Sequence, residues 1–476
     1  MARNDQPFTD AARVAPWSES VSRSRFSLLR IPPNLVVFSI KTKGLRNFAR
    51  RVWTIFARFG FSERRGANGL HAIVDALEPY DVGPTFYVPA VVLERHPQLM
   101  AAVAARGAEM GLHGDVHVDY RLLDRTGQYE HTERAIATFE RMGIPWQGFR
   151  NPYLGWTEGS VVDFAELGIT YDSNEAIDHD VGGLGIIQPR LAAGYELSLS
   201  LFQALPCTAY GLRPRLESGL VRIPISVPDD EMLFDRLRLD APTVGRVWSD
   251  VMRRVYEVGG VYALNIHPER GVLCREALEN LLGYATALPE PVWLARLDAI
   301  AAWWRERANS GLEVTARRQG IWDVQANAPD DAVLVVRDDS GVRVVLARKV
   351  TVTANLCPVI ALSPQTPPVV AAFLREQGYP VMPASEDERD QFALYLDMPE
   401  GLSSDRRERW SQCSALVDRI EGLDSPLVKL GLWPNGSRAA LAISSDVDSI
   451  TVQDFFLRIL EWRDTHGARY GQAHSS

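Results

Sequence analysis

Residues 84–117, PTFYVPAVVLERHPQLMAAVAARGAEMGLHGDVH, join an apolar run to a segment of helical periodicity and end in two histidines. The run PTFYVPA (84–90) predicts a buried strand, and PQLMAAVAARGAEMG (97–111) predicts a helix that ends at a glycine. Short apolar strands that alternate with helices of about ten to fifteen residues are typical of βα units. This stretch therefore indicates an α/β fold with a parallel sheet or barrel.

The same alternation extends outward on both sides. Upstream, NLVVFSI (34–40) predicts a strand and ANGLHAIVDALEPYD (67–81) a helix. The pattern favours one (β/α) barrel over residues 31–318, preceded by an N-terminal arm over residues 1–30. The elements predicted downstream are helices over 131–143, 159–168 and 244–260 and strands over 146–153, 220–226 and 261–269.

The pattern changes near residue 317. DDAVLVVRDDSGVRVVLARKVTV (330–352) has two apolar runs around Asp-Asp-Ser-Gly, which predicts a β-hairpin. With the helices and strand that follow it, this hairpin indicates a small α+β module over residues 319–432, which we expect to cover the barrel mouth. The chain then returns to a strand and a helix over residues 433–466, a segment that we expect to complete the barrel.

Composition limits the classes of partner. The 476-residue chain is 46% hydrophobic and carries a formal net charge of −9, so it can bury a large core and offers no basic surface for nucleic acid. No apolar run approaches the roughly 20 residues that span a bilayer, and the N-terminus has no apolar signal-peptide core. The four cysteines lack a CxxC spacing, which is typical of free thiols. We expect a cytoplasmic protein, and the sequence leaves its oligomeric state open.

Three short motifs carry candidate functional side chains. HGDVH places His113 and His117 four apart, where two imidazoles on a helical turn can chelate zinc, although such a pair alone is more often two surface or capping histidines. GFRNPY places Arg150 at a strand end, where it either orients a carboxylate or pairs on the barrel rim. LNIHPE places His267 at a strand mouth, where an active-site role competes with that of a satisfied rim residue.

A fourth motif, ISSDVDS (443–449), stands close to the C-terminus. Asp446 and Asp448 follow the apolar run RAALAI, which predicts a buried strand. Two carboxylates at the mouth of a strand are typical of metal or acid/base chemistry. The alternative is that Asp448 caps the helix that follows.

Together these motifs resemble one family, the polysaccharide deacetylases, which form the NodB-homology group of carbohydrate esterase family four. Residues 84–123 resemble the second family motif, GFRNPY the third, YDSN (171–174) the strand motif after it and LNIHP (264–268) the last. The segment IPISVPDDEML resembles the intracellular and allantoinase-like branches. The resemblance covers about residues 35–300 and implies an α/β fold with a deformed (β/α) barrel.

The resemblance also implies a metal site. One divalent ion, zinc first with nickel and cobalt as alternatives, would be held by His113, His117 and Asp448. Water bound to it would attack an N-acyl carbonyl, with Asp446 as base and His267 as acid.

The resemblance assigns supporting roles to further residues. Arg150 would orient the base, and the backbone N–H of Tyr153 would belong to the oxyanion hole. The substrate-binding residues that it implies are Asp229, Asp230, Pro152 and Trp156.

The first family motif is displaced in this chain. FSIKTKG has Lys41 and Lys43 where the family has carboxylates, and an ammonium group cannot ligate a metal. The segment WPNGSRAALAISSDVDS (433–449) resembles that first motif instead. We therefore expect the C-terminal strand to fold back into the barrel and bring its two aspartates to the histidine pair, since adjacent strands lie only about 4.8 Å apart. The two lysines are then either partners of these carboxylates or solvated rim residues.

Two functions remain open at this point. The resemblance implies a metal-dependent hydrolase that removes an N-acyl group, N-acetyl first, from an amino sugar or a sugar-containing biosynthetic intermediate. The alternative is a non-catalytic, deacetylase-like barrel that binds a glycan or a protein partner.

Overall fold

The computed structural model describes residues 55–56, 58–208 and 210–466. The predicted arm over residues 1–30, the predicted strand over 34–40 and both Lys41 and Lys43 lie outside the described residues. Within the described part, strands and helices alternate along the chain as in the predicted α/β class, which is confirmed. None of the described helices is both long enough and apolar enough to cross a membrane.

Twelve strands form the main sheet, which curls into a half-barrel. Neighbouring strands pair in parallel, apart from the antiparallel pair β7 and β8 at one edge. The strands are β1 (Thr85–Val88), β2 (Glu109–Leu112), β3 (Gly148–Phe149), β4 (Tyr171–Asp172), β5 (Ala176–Asp178), β6 (Leu205–Pro206), β7 (Arg215–Glu217), β8 (Leu220–Arg222), β9 (Ile225–Val227), β10 (Val261–Asn265), β11 (Val292–Leu294) and, far along the chain, β21 (Ala439–Asp446).

Helices connect and cover these strands. In the first of them, Leu70, Ile73, Val74 and Leu77 are buried at the i, i+3, i+4, i+7 spacing of an amphipathic helix. The helices are α1 (Arg64–Leu77), α2 (Ala90–Arg95), α3 (Pro97–Ala104), α4 (Arg125–Arg141), α5 (Glu158–Glu166), α6 (Pro189–Leu201), α7 (Ala241–Val258), α8 (Gly271–Thr286), α9 (Leu297–Ala308), α10 (Pro368–Glu376), α11 (Arg406–Glu421) and α12 (Val452–His466), with a π-helix at Glu231–Arg236.

Strand β21 lies in the middle of the sheet, between β10 and β1. The sheet order is β6-β5-β9-β10-β21-β1-β2-β3-β4-β8-β7, and β11 also pairs with β21. Ile443 lies beside Leu264 on one side, and Asp446 lies beside Tyr87 on the other. All eight residues of β21 are buried, as expected of a parallel strand with both faces covered.

Two predicted elements differ from the structure. The helix predicted over 97–111 ends at Ala104, and residues Glu109–Leu112 form β2. Gly107 between them has φ +89°, a left-handed conformation that ends the helix and turns the chain into the sheet. The strand predicted over 220–226 is two strands, because β8 pairs with β4 while β9 pairs with β5 and β10.

The remaining strands form three small sheets. The predicted hairpin is confirmed, since β14 pairs antiparallel with β15 and Asp338 lies opposite Gly341. The sequence pattern did not predict the antiparallel pair of β12 and β13. This pair begins at Gly311, eight residues before residue 319, where the module was predicted to start. The strands are β12 (Gly311–Arg318), β13 (Ile321–Asn327) and β16 (Lys349–Thr353); β14 (Leu334–Asp338), β15 (Gly341–Val345) and β20 (Leu427–Leu430); and β17 (Cys357–Leu362), β18 (Val381–Pro383) and β19 (Phe392–Leu396).

Candidate active site

Polar side chains gather where the central parallel strands end. His113 directly follows β2, Arg150 follows β3, Asn265 ends β10 and Asp446 ends β21. The carboxyl ends of neighbouring parallel strands meet at one edge of a sheet, and ligands bind there in barrels and open α/β sheets. The topology therefore brings together residues that are more than 300 positions apart in the sequence.

His113, His117 and Asp448 form the first group of this site. The Oδ1 atom of Asp448 lies 3.4 Å from Nε2 of His113 and 3.2 Å from Nε2 of His117. Both imidazoles are buried, and burial lowers the pKa of His117. Asp448 does not cap the following helix, because Thr451 does so: its hydroxyl oxygen accepts from the Asp454 N–H, and the Asp454 carboxylate accepts from the Thr451 N–H.

Hydrogen bonding shows that these three residues fit a metal ion. Nδ1 of His113 lies 2.7 Å from the Arg150 carbonyl oxygen, so this nitrogen carries the proton and Nε2 presents a lone pair. Nε2 of His113 and Oδ1 of Asp448 are buried and have no hydrogen-bond partner among the described residues. Two imidazole nitrogens and a carboxylate oxygen that converge in this way form a ligand set that suits zinc.

The histidine pair lies in the loop after β2, and the helical turn expected for it is absent there. Gly114, next to His113, has φ +80°, a left-handed conformation that a helix does not contain. The rings of His113 and His117 nevertheless approach to 5.2 Å between centroids. The loop, rather than a helical turn, therefore sets the chelating geometry.

Asp446 forms the second group, together with Arg150. Nη1 of Arg150 donates to Oδ1 of Asp446 at 2.9 Å, and the Asn265 amide donates to Oδ2 at 3.2 Å. Arg150 is fully buried and lies over the Tyr87 ring, 4.2 Å from its centroid. Its other hydrogen bonds, to Ser173, Ser444 and Asn265, leave the guanidinium no freedom to turn away. Asp446 is thus a carboxylate whose orientation is held by two hydrogen bonds.

His267 and Asp230 form the third group. Nδ1 of His267 donates to Oδ1 of Asp230 at 2.7 Å, and the backbone N–H of His267 donates to Oδ2 at 3.0 Å. Burial alone would lower the pKa of His267, but the Asp230 carboxylate raises it well above its usual value. The effects on Asp230 have the opposite signs. Burial alone would raise the pKa of this carboxyl group, but the charges of His267 and Arg270 lower it to about 2. The pair is therefore an ionised carboxylate and an imidazolium.

Of the four residues expected to bind substrate, one lines the cavity and three do not. Asp229 lines the cavity described below, and burial together with the Asp230 charge raises its pKa to about 7. Asp230 is fully buried, so it is a partner of His267 and not a group that faces substrate. Trp156 packs against the guanidinium groups of Arg222 and Arg406, and neither it nor the buried Pro152 lines the cavity, so the substrate contacts expected of both stay predictions.

Tyr153 lies at the rim of the site. Its φ of +58° is unusual for a tyrosine, and the next residue, Leu154, has φ +53°. The Tyr153 ring is 37% exposed and meets the His117 ring edge-on, 4.6 Å between centroids. This strained turn lies beside His117, one of the candidate ligands, and such strain is often found at functional sites.

All three groups border one cavity of about 290 Å³. Asp446, Asp448, His117 and His267 line its polar floor. None of the described residues between 319 and 432 lines it, and the expected covering of the barrel mouth by this module stays a prediction. The apolar wall comes instead from Phe59, Leu201, Phe202, Met232 and Phe455.

No motif in the sequence pointed to Asn265, Ser444 or Arg458 as parts of the site. Asn265 is the one amide in the apolar strand VYALN. Ser444 lies two positions before Asp446 on β21, so the two side chains point to the same face of the sheet. Those two could have been found from strand periodicity. Arg458 had no local signal, because it reaches the site only through the position of α12.

Comparison with known proteins agrees with the motif analysis. Residues 65–171 match the family model of the polysaccharide deacetylases. No curated protein is similar enough in sequence to count as a match.

Three solved structures illustrate the likeness in fold. A putative polysaccharide deacetylase from Mycobacterium smegmatis is 21% identical, with a TM-score of 0.39 over 57% of this chain and 84% of that one. The allantoinase Puue is 20% identical, with a TM-score of 0.38 over 50% and 72%. A probable polysaccharide deacetylase from Pseudomonas aeruginosa PAO1 is 21% identical, with a TM-score of 0.38 over 50% and 73%. The family match over residues 65–171 confirms the resemblance of this chain to the polysaccharide deacetylases.

Proposed function

We propose that this chain is a metal-dependent hydrolase that removes an N-acyl group, above all N-acetyl, from an amino sugar or a sugar-containing intermediate. The observation that carries the proposal is the convergence of three groups on one cavity: the ligand set of His113, His117 and Asp448, the Asp446 carboxylate and the His267 imidazolium. The family match supports carbohydrate deacetylation as the reaction class.

The residues of the ligand set have a defined task. A divalent ion held by them would polarise the acyl carbonyl and acidify a water molecule. His113 is kept in the tautomer that offers Nε2, because its Nδ1–H donates to the Arg150 carbonyl. The chain itself therefore supplies a prepared ligand set rather than one that must rearrange.

The other two groups divide the proton transfers. Asp446, held by Arg150 and Asn265, is placed to accept a proton from the attacking water. His267, charged through Asp230, is placed to donate a proton to the leaving nitrogen. Water adds to the carbonyl carbon, the C–N bond breaks, and the products are a carboxylic acid and a free amine.

The test is a hydrolysis screen on purified protein loaded with zinc, nickel or cobalt. Its substrates are N-acetylated sugar nucleotides, lipid-linked sugars and small glycosides, with free amine as the measured product. We expect release of amine from at least one class, and a loss of about 10²–10⁴-fold in the Asp446→Asn variant, which removes the base without changing its shape.

The opposite outcome is equally informative. A wild-type protein that takes up no metal on reconstitution, and that releases no amine from any of these substrates, contradicts the proposal. Glycan binding by such a protein would favour the non-catalytic barrel.

A further inference from the structure

Arg458 on α12 is a basic group that lies beside the proposed metal ligands. The proposed reaction gives it no role. Its Nη1 donates to Oδ2 of Asp448 at 2.7 Å, while Oδ1 of the same carboxylate faces the two imidazoles. The guanidinium lies over the Phe455 ring, 5.3 Å from its centroid, and both residues line the cavity. Arg458 is therefore held on one wall of the cavity, next to the metal position.

The ion pair of Arg458 differs from those of the other arginines in the cavity wall. Within the described residues, the carboxylate that Arg458 contacts is Asp448, which the metal also requires. The two other arginines pair with carboxylates that belong to none of the three groups of the site: Arg58 with Glu269, and Arg236 with Glu231.

A divalent ion changes the balance of charge around Arg458. An ion on Oδ1 of Asp448 would share the negative charge of this carboxylate with Arg458, which holds Oδ2, and a bound cation is the largest local charge in such a site. Asp446 does not supply a second carboxylate to Arg458, because Arg150 already holds it at 2.9 Å. One carboxylate then balances only part of the positive charge of the ion and Arg458, and an electropositive cavity attracts anions.

We propose that Arg458 binds an anionic group of the substrate, a carboxylate or a phosphate, close to the N-acyl group that is cleaved. A guanidinium suits both, because its planar fork matches their paired oxygens. The inference rests on the proposed function for the nature of the scissile bond, but the anion site itself depends only on Arg458 and the bound metal. Arg458 is thus a specificity residue that the returning C-terminal segment supplies together with Asp448.

The first test measures anion binding without turnover. Inorganic phosphate is titrated by calorimetry into zinc-loaded wild type, Arg458→Gln and Arg458→Lys, each at the same zinc occupancy, with acetate as the carboxylate counterpart. Any direct contact of the anion with zinc is present in all three proteins. A difference in phosphate affinity among them is therefore due to residue 458. We expect phosphate to bind at least tenfold more weakly to Arg458→Gln, with Arg458→Lys between the two.

A matched variant separates this site from general charge effects. Arg236→Gln removes an equal charge from the same cavity wall, and we expect its phosphate affinity to stay within about threefold of wild type, since Glu231 already pairs with that arginine. Equal phosphate binding by wild type and Arg458→Gln overturns the inference. So does a loss in Arg236→Gln as large as that in Arg458→Gln.

The second test asks which anion the substrate carries. The substrates are N-acetylglucosamine, its 3-phosphate and its 3-O-lactyl ether, which places a carboxylate beside the N-acetyl group. We expect kcat/KM of wild type to favour one anionic compound at least tenfold over the neutral sugar, and the preference to fall below about threefold in Arg458→Gln. A preference that survives in this variant contradicts the inference. If phosphate binding depends on Arg458 but no sugar is hydrolysed, the proposed function fails and the anion site stands.

Discussion

At the scale of single residues, Asp448 divides its two oxygens between different partners. Oδ1 faces the two imidazoles and Oδ2 accepts from Arg458. The arginine thereby orients the carboxylate so that its other oxygen points at Nε2 of both His113 and His117. Such outer partners of metal ligands commonly account for 10–100-fold in affinity.

We predict that Asp448→Ala abolishes stoichiometric metal binding. Two imidazoles alone form an incomplete set, so the variant should bind zinc more than about 100-fold more weakly than wild type, by metal analysis and competition with a chelator. Asp115→Ala is the matched control, because Asp115 lies between the two histidines in sequence but its carboxylate pairs with Arg134. Similar zinc affinity in Asp448→Ala and wild type would remove the proposed ligand.

We predict that Asp230→Asn shifts the alkaline limb of the pH profile. His267 must be protonated to act as an acid, so activity falls as the pH rises through its pKa, which Asp230 raises. Without the carboxylate, burial lowers this pKa, and the limb of kcat/KM should move down by more than about one pH unit. Asp235→Asn, which removes a more exposed partner of Arg270, should leave the limb in place. An unchanged limb in Asp230→Asn would mean that His267 is not the acid.

At the scale of elements, the position of β21 and α12 decides whether a site exists. Trp433, in the segment that leads into β21, is fully buried, and its Nε1–H donates to the Gly259 carbonyl at 3.0 Å. Its ring packs near Trp304, 5.6 Å between centroids. At the other end of the segment, Asp454 at the start of α12 accepts a hydrogen bond from His96. The returning segment is thus fixed before and after its two aspartates.

We predict that the His96 contact stabilises the protein more at low pH than at high pH. His96 lies 2.6 Å from Glu63 and 2.7 Å from Asp454; burial alone lowers its pKa, but these carboxylates raise it above 6.5. The stabilisation is complete below the unfolded pKa and is lost as the pH rises through the raised folded pKa. His96→Gln should lower the free energy of unfolding by about 1–3 kcal/mol at pH 6, and by less at pH 9.

Denaturant unfolding at the two pH values measures this difference. His71→Gln is the control, because among the described residues the hydrogen bond of the His71 ring is a long one, 3.3 Å from Nδ1 to Nη1 of Arg106. A loss in His96→Gln that does not change with pH would show that the contact does not depend on the charge of His96.

At the scale of the whole molecule, the ligand set joins distant parts of the chain. His113 and His117 follow β2 near one end of the described residues, while Asp448 follows β21 near the other. Because β21 is a central strand, closing this site also closes the main sheet. We therefore expect metal binding to be coupled to the stability of the whole fold.

We predict that zinc raises the midpoint of thermal unfolding of wild type and that a chelator reverses the effect. A ligand that binds only the folded state at 100 times its Kd stabilises it by about 2.7 kcal/mol. Calorimetric scans with and without zinc measure the shift. Asp448→Ala should show no zinc-dependent shift, and an equal shift in that variant would place the metal elsewhere.

The sequence predicted much of the fold and of the site because both depend on local patterns. Apolar runs and helical periodicity identify strands such as β1 and β10 and helices such as α1 and α7 without any knowledge of their neighbours. The strand β2 was missed, because Glu109–Leu112 continues a helical pattern and only its pairing with β1 and β3 makes it a strand. The pair β12 and β13 was missed for the same reason, since partner strands and not local composition stabilise it.

By itself, the sequence determined which side chains were available for chemistry: the histidine pair, the displaced Asp446 and Asp448, and His267 after its strand. Tertiary structure alone decided which of these meet. It placed β21 between β10 and β1, set Asp230 behind His267 and brought Arg458 to the cavity wall. The reason is physical: residue type and spacing act within a few positions along the chain, whereas a site on a parallel sheet is assembled from strand ends whose order in space differs from their order in sequence.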